Sequence, residues 1–185
     1  EYQMFHEYPL GGKPPMMTHL FENTDKDRII AAKGAPEAIL SVSKLSEIEK
    51  EKIRDIIKTF GQQGYRVLGV AKSHFEGNSF PKSQQDFDFE FLGLTVFYDP
   101  PKKGIHDVFQ SIYDAGIKVK VITGDNADTT NAIALQAGIK NDVPSINGSD
   151  IIGSSEEELM QISEDTVLFT RMFPEAKLSV INALK

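Results

Sequence analysis

The stretch Gly116-Ile-Lys-Val-Lys-Val-Ile-Thr-Gly-Asp125 is the part of the sequence that most strongly indicates the fold. Val119, Val121 and Ile122 are apolar and β-branched, which predicts a strand in a packed sheet. Thr123-Gly-Asp125 predicts a polar turn at the end of that strand. A helical pattern of apolar residues begins directly after the turn. The stretch therefore predicts a strand, a turn and a helix in immediate succession.

The chemistry of this junction suits a phosphate group. Asn126 or Asp128 can cap the helix, and Gly138 follows its last apolar residue. In doubly wound α/β sheets, ligands bind where such junctions meet the carboxyl ends of the strands. Free backbone N–H groups favour an anion there, and the Thr123 hydroxyl and Asp125 carboxylate suit phosphate and Mg²⁺. Taken alone, however, an ordinary βα turn is the better interpretation.

Length and composition restrict the class of protein. With 185 residues the chain can form one sizeable domain or two small ones. No apolar run approaches the roughly 20 residues of a membrane-spanning helix, and there is no secretory signal at the N-terminus, so we expect a soluble chain. The sequence has no cysteine and only four scattered histidines, which predicts no metal site built from these side chains. The net charge of −7 argues against nucleic acid as a partner.

The first third of the chain predicts strands followed by helices. Residues 1–15 contain paired glycines and paired prolines, so we expect them to be irregular. Met16 to Glu22 and Arg28 to Lys33 flank a polar turn and predict a β-hairpin. A short helix is predicted from Pro36 to Val42, because proline suits the first helical turn.

A longer helix is predicted after residue 45. Ser46 and Glu49 form a capping-box pattern, and Gly61 to Gly64 should end the helix. Its apolar residues recur near helical spacing on one face: Ile48, Ile53, Ile56, Ile57 and Phe60.

Two further strands are predicted before the middle of the chain. Residues 66–71 and 91–98 have strand patterns, and the polar loop 76–88 between them carries phenylalanines that should anchor it. Asp99-Pro-Pro101 then stops regular pairing, so we expect a domain boundary near this point.

The second half of the sequence alternates between helices and strands. Helices are predicted at 105–116, 128–137 and from Pro174, and strands at 119–122 and 167–170. A further helix over residues 156–162 can be capped by Ser154 or Ser155, whereas residues 144–152 have no definite pattern. Alternation of this kind predicts a parallel sheet with right-handed crossovers.

Five motifs together point to one protein family. They are Lys33-Gly-Ala-Pro-Glu37, Gly64-Tyr-Arg-Val-Leu68, Asp99-Pro-Pro101, Thr123-Gly-Asp125 and Arg171-Met-Phe-Pro-Glu-Ala-Lys177. Their order and approximate spacing resemble the cytoplasmic part of P-type cation-transporting ATPases, and the similarity covers nearly the whole chain.

The resemblance implies an α/β fold in two parts. Residues 1–92 would be an N-terminally truncated α+β nucleotide-binding domain with an antiparallel sheet. Residues 93–185 would be part of a phosphorylation domain of the haloacid-dehalogenase type, with a Rossmann-like parallel sheet.

The resemblance also implies residue roles in the nucleotide-binding domain. Tyr8 matches the aromatic residue that stacks on adenine, Lys33 the lysine that lines the nucleotide pocket, and Arg66 the arginine that reaches the phosphates. From the residues alone, Tyr8 is equally interpreted as a core or edge aromatic, Lys33 as a surface lysine and Arg66 as a charge at a strand edge.

In the second domain the resemblance implies contacts to phosphate and ribose. Thr123 matches the hydroxyl that bonds the transferred phosphoryl group, with the Gly124 backbone close by, and Asp125 matches a carboxylate of the ATP and Mg²⁺ site. Arg171 resembles an arginine that contacts ribose. Lys177 resembles the lysine that neutralises phosphoryl charge.

The sequence also departs from the family pattern. It contains neither the Asp-Lys-Thr-Gly-Thr motif of the phosphorylated aspartate nor the Thr-Gly-Asp-Gly-Val-Asn-Asp motif that binds Mg²⁺. The resemblance places these motifs before Glu1 and after Lys185. The resemblance therefore implies that the phosphorylated aspartate and the principal Mg²⁺ ligands are absent from these residues, and we expect no hydrolysis of ATP by the pump mechanism.

The resulting functional hypothesis is an ATP-binding part of a pump that couples ATP hydrolysis, through an aspartyl-phosphate, to cation transport. Its partners would be ATP and the actuator, phosphorylation and transmembrane parts of the parent protein, at the cytoplasmic face of a membrane. The transported ion is not indicated. Two alternatives are a stand-alone phosphatase of the haloacid-dehalogenase type and a non-enzymatic nucleotide-binding module. The phosphatase would need an aspartate nucleophile at a strand end, which the second half does not offer.

Overall fold

The computed structural model describes residues 1–77, 79–140 and 144–185. The chain forms two compact units. The first contains residues 1–57 and 67–97, and the second contains residues 58–66 and 98–185. One sheet of five strands and one sheet of three parallel strands confirm the predicted α/β fold.

The five-stranded sheet has the order β1-β2-β3-β4-β5, so neighbours in sequence are neighbours in the sheet. The first three pairs are antiparallel, which confirms the predicted hairpin. The strands are β1 (Gln3–Gly11), β2 (Met16–Glu22), β3 (Arg28–Gly34), β4 (Arg66–Ser73) and β5 (Phe89–Phe97). The helices α1 (Pro36–Val42) and α2 (Glu47–Gln62) connect β3 to β4.

The expectation of an irregular N-terminus is wrong, because residues 3–11 form β1. The glycine and proline pairs lie instead at the connection from β1 to β2. Gly12 has φ +90°, which a residue with a side chain seldom adopts, so the turn depends on it. The glycines and prolines therefore determine the turn at one end of this segment, and the residues before them are free to pair as a strand.

The core of the first unit lies on one face of its sheet. Alternate residues of β2 and β3, including Met16, Leu20 and Ile30, are almost completely buried there. Phe87 and Phe89 are also buried, which confirms that the loop before β5 is anchored by phenylalanines.

The helix α2 contributes little to this core. Its capping box is confirmed, because the Ser46 N–H donates to the Glu49 carboxylate at 2.9 Å and the Glu49 N–H donates to the Ser46 hydroxyl at 3.3 Å. Two residues of its apolar stripe, Ile48 and Ile56, are 73% and 47% exposed, and the other three are only half-buried.

The second unit contains a parallel sheet in the order β6-β8-β7. The strands are short, and β6 begins at Val121 rather than at Val119 as expected. The strands are β6 (Val121–Ile122), β7 (Ile146–Asn147) and β8 (Leu168–Thr170), and the helices are α3 (Ile105–Asp114), α4 (Ala127–Ala137), α5 (Glu156–Asp165) and α6 (Pro174–Ala183). The strand β7 lies in the stretch for which the sequence had no definite pattern.

The core of this unit forms around β8 and α6. Phe169, Met172, Ala176 and Val180 are buried together. Across residues 1–77, 79–140 and 144–185, no helix combines the length and the apolarity needed to cross a bilayer.

Candidate functional site

The Thr123–Asp125 turn follows β6 directly and is held by its own hydrogen bonds. The Thr123 hydroxyl donates to the Asp125 carboxylate at 3.1 Å and accepts the Asp125 N–H at 3.1 Å. The helix α4 starts two residues later, capped by the Asn126 side chain, which accepts the Thr129 N–H at 2.9 Å. The turn therefore lies at a helix N-terminus, the end that attracts anions.

The residues that follow β8 form the neighbouring wall of this turn. The Arg171 N–H donates to the Asp125 carbonyl at 2.8 Å, and the Met172 N–H donates to the Thr123 carbonyl at 2.9 Å. Arg171 has φ +51°, in the left-handed region that residues with a Cβ seldom adopt. The structure thus brings together Thr123, Asp125 and Arg171, three of the residues predicted from the sequence.

Arg66 reaches the same turn. Its Nε lies 3.8 Å from Asp125 Oδ1, and the two side chains are 68% and 41% exposed. An exposed pair of this kind contributes at most about 1 kcal/mol. The pair brings an arginine to the turn while leaving both charged groups accessible to a ligand.

Gly124 and Lys177 complete the predicted set in this unit. Gly124 is exposed in the turn, and a Cβ placed there would meet only the Met172 carbonyl oxygen, at 3.8 Å. Lys177 is half-buried in α6, and its backbone N–H donates to the Phe173 carbonyl at 3.0 Å. Within the part of the chain that the structure describes, no hydrogen bond joins the Lys177 side chain to Thr123.

The two residues predicted in the first unit lie on opposite faces of its sheet. Tyr8 of β1 is paired with Thr18 of β2, and Lys33 of β3 is paired with Met17 of β2. Residues opposite each other in a sheet share a face, and successive residues of one strand point to opposite faces. The structure therefore does not bring Tyr8 and Lys33 together.

Tyr8 belongs to the core of this unit. It is 9% exposed, its hydroxyl donates to the Pro81 carbonyl at 2.5 Å, and its ring meets that of Phe87 edge-on at 5.6 Å. Burial of the ring and the nearby Asp86 carboxylate raise the pKa of the Tyr8 hydroxyl. This environment agrees with the interpretation of Tyr8 as a core aromatic residue. Stacking of Tyr8 on adenine stays a prediction, and it requires the ring to move out of the core.

Lys33 is exposed on the other face of the sheet, between Met17 of β2 and Val70 of β4. Among the residues that the structure describes, it forms no ion pair. The next residue, Gly34, is tightly packed, since a Cβ there would lie 2.6 Å from the Met16 Cα. Glycine in this motif therefore lets β3 and the end of the β1–β2 connection approach closely.

Sequence reasoning missed a cavity of about 660 Å³ in the first unit. Its walls carry two ion pairs, Lys44 with Asp88 at 3.0 Å and Lys72 with Glu90 at 3.1 Å. None of the predicted site residues lines it. Its lining comes from segments that are distant in sequence, so no local motif could have indicated it.

The donor set at the Thr123–Asp125 turn does not form a Mg²⁺ site by itself. Mg²⁺ takes near-octahedral oxygen coordination, and the turn offers one carboxylate and one hydroxyl. No group of three or more histidine, aspartate or glutamate side chains suited to a metal occurs among the described residues.

An antiparallel-sheet unit and a parallel-sheet unit with a Thr-Gly-Asp turn are what the five motifs led us to expect. Residues 2–104 match the family of the P-type ATPase cytoplasmic domain N. Because this match covers more than half of the chain, the chain belongs to that family.

The similar curated proteins are cation-transporting ATPases. A calcium-transporting ATPase of Bacillus subtilis is 29% identical over 98% of this chain, and the chain covers 22% of that protein. The cation-transporting ATPase pma1 of Synechocystis is 32% identical over 85% of this chain, and the chain covers 19% of it. Calcium-transporting ATPase 1 of Saccharomyces cerevisiae is 28% identical over 99% of this chain, which covers 21% of it. The chain thus spans about a fifth of the length of these relatives.

Proposed function

We propose that this chain is the ATP-binding portion of a P-type ATPase that transports cations across a membrane. The observation that carries the proposal is the match of residues 2–104 to the cytoplasmic domain N. The names of the relatives, which are calcium- and cation-transporting ATPases, support the same class of parent protein. We assign residues 1–92 to the nucleotide-binding domain and residues 93–185 to part of a phosphorylation domain of the haloacid-dehalogenase type.

In the first unit, Lys33 is the proposed contact for ATP. Its ammonium group is exposed and has no ion-pair partner among the described residues. An anionic or polar group of a ligand can therefore reach it without displacing a carboxylate. Tyr8 is retained as the adenine contact only for a conformation in which its ring becomes accessible.

In the second unit, the Thr123–Asp125 turn is the proposed phosphate contact. The Thr123 hydroxyl and the Gly124 backbone would bond phosphoryl oxygens, and Arg66 would supply a forked donor to phosphate. Arg171 would contact ribose and Lys177 would neutralise phosphoryl charge. Phosphoryl transfer depends mainly on positioning and on charge stabilisation, which these groups are suited to supply.

The parent protein would couple ATP hydrolysis to transport through an aspartyl-phosphate, and the principal ligands of Mg²⁺ would lie outside these residues. The partners of the chain would be the actuator, phosphorylation and transmembrane parts of that protein, at the cytoplasmic face of the membrane. For the 185-residue chain we expect nucleotide binding without turnover.

Calorimetric titration of the chain with ATP tests the proposal. We expect Lys33→Glu to weaken ATP binding by about tenfold or more, because it reverses a charge at the proposed contact. Lys52→Glu is the matched control, since Lys52 is also an exposed lysine of the first unit and should leave ATP binding unchanged. Equal affinity of Lys33→Glu and the parent chain would show that the contact is assigned wrongly. No binding by the parent chain would overturn the proposed function for these residues.

A further inference from the structure

Residues 61–65, which are the end of α2 and the turn before β4 and are called the 61–65 turn below, pack against α4 within the second unit. The Thr129 hydroxyl of α4 donates to the Tyr65 carbonyl at 3.0 Å. Thr129 is 2% exposed and Tyr65 is half-buried, so this bond is partly shielded from water. The contact joins residues 64 positions apart in sequence, and no sequence motif indicated it.

Two glycines let this turn approach the helix. A Cβ on Gly61 would lie 3.0 Å from the Asp128 Cβ and 3.5 Å from Thr129 Oγ1. Gly64 has φ +83°, and a Cβ there would lie 3.2 Å from the Gln136 side-chain nitrogen. The close approach leaves the 61–65 turn little freedom to shift along α4.

The Tyr65 side chain is also held. Its ring contacts Phe60 edge-on at 5.8 Å and lies 4.9 Å from the Tyr98 ring. The backbone of Tyr65 is therefore fixed on one side by Thr129 and on the other by aromatic packing. Because Arg66 is the next residue, its backbone is restrained by the same contacts.

Thr129 is bonded to both sides of the candidate phosphate site. Its N–H donates to Asn126, the cap that directly follows the Thr123–Asp125 turn, and its hydroxyl holds the residue before Arg66. The exposed Arg66–Asp125 pair is too weak to fix the arginine by itself, whereas loss of the bond from the nearly fully buried Thr129 side chain to the Tyr65 carbonyl costs more. We propose that Thr129 is a positioning residue that places the Arg66 guanidinium beside the Thr123–Asp125 turn for contact with the phosphates of ATP.

The inference rests on the proposed ATP binding and makes the Thr129 hydroxyl, rather than the Thr129 backbone, the deciding group. Thr129→Val removes the hydroxyl while keeping the branched shape and the bond from N–H to Asn126. Thr129→Ser keeps a hydroxyl. Thr130→Val is the matched control, because the Thr130 side chain is also buried but its hydroxyl bonds the Asn126 carbonyl within the start of α4, at 2.8 Å.

The test is titration of these variants with ATP and, separately, with adenosine, which lacks phosphates. We expect Thr129→Val to weaken ATP binding about three- to tenfold and to leave adenosine binding unchanged, since one positioned hydrogen bond is at stake. Thr129→Ser and Thr130→Val should bind ATP as the parent chain does. An equal loss for ATP and adenosine would mean general damage and would overturn the proposal.

A double-mutant cycle with Arg66→Gln sharpens the result. If Thr129 acts through Arg66, Thr129→Val should weaken ATP binding no further once the guanidinium is gone. Additive losses would overturn the proposal.

The position of the Arg66 guanidinium can also be tested without nucleotide. We expect the NMR signal of the Arg66 Nε–H group to shift in Thr129→Val and to stay in place in Thr130→Val. If the parent chain binds no ATP, the proposed function fails, while this signal still decides the role of Thr129. An unchanged Arg66 signal in Thr129→Val would refute that role.

Discussion

The Thr123–Asp125 turn and the pair Tyr8 and Lys33 illustrate two ways in which a fold places residues. The turn residues are consecutive in sequence, and backbone bonds to Arg171 and Met172 hold them beside the end of β8. Tyr8 and Lys33 lie on separate strands, and the pairing register puts them on opposite faces of one sheet. The backbone of a local motif thus keeps its residues together, whereas residues on separate strands depend on the register of every strand between them.

The strongest test of this comparison is Gly34→Ala. The added Cβ would lie 2.6 Å from backbone atoms of Pro15 and Met16, so the hairpin must open or shift. We expect a loss of about 2 to 3 kcal/mol in the free energy of unfolding, measured by denaturant titration. Gly124→Ala is the control, because its Cβ would meet nothing closer than 3.8 Å and should change stability little. Similar losses in both variants would refute the contrast between a register-dependent strand and a self-supporting turn.

A second test concerns the burial of Tyr8. Tyr8→Phe removes the hydroxyl that donates to the Pro81 carbonyl. We expect the free energy of unfolding at neutral pH, measured by denaturant titration, to decrease by about 1 kcal/mol. Tyr2→Phe, at an exposed tyrosine of the same unit, should change stability little.

The raised pKa of Tyr8 also predicts how the free energy of unfolding depends on pH. Because the pKa of Tyr8 is raised on folding, the unfolded chain loses this proton first as pH increases. The stability that comes from holding the proton is therefore complete below the ordinary tyrosine pKa of about 10 and is lost above it. We expect the difference in unfolding free energy between the parent chain and Tyr8→Phe to shrink above that pH. A difference that stays constant to higher pH would contradict the burial of the hydroxyl.

The smallest expected effect is that of the Arg66–Asp125 pair. A double-mutant cycle with Arg66→Gln and Asp125→Asn should give a coupling free energy below about 1 kcal/mol, smaller at high salt than at low salt, because both side chains are exposed. Unfolding measured at two salt concentrations checks this. A larger coupling that does not respond to salt would mean that the pair is buried, and the turn would then be closed to ligands.

Much of the fold was predictable because its signals are local. The hairpin β2–β3, the capping box at Ser46, the cap of α5, for which Ser155 was one of two candidates, and the strand-turn-helix junction at residues 121–137 each depend on neighbouring residues. The Thr123–Asp125 turn could be proposed as a site for the same reason.

The remaining features depend on contacts that a sequence pattern does not contain. Periodicity predicted an apolar face on α2, but Ile48 and Ile56 on that face are exposed, since a pattern indicates that a face is apolar and not what it packs against. The sequence also did not indicate which face of the sheet Tyr8 lies on, because the register of β1 against β2 shifts between Tyr8 and Gly11.

The two backbone bonds that tie Arg171 and Met172 to the Thr123–Asp125 turn have a consequence for protein engineering. Both use main-chain atoms, so they survive exchange of the turn side chains. A library of substitutions at Gly124, which takes no part in the hydrogen bonds between Thr123 and Asp125, should therefore vary the chemistry of the turn on a nearly constant scaffold. Differences in ligand preference among its members would then report the exchanged side chains rather than changes of fold.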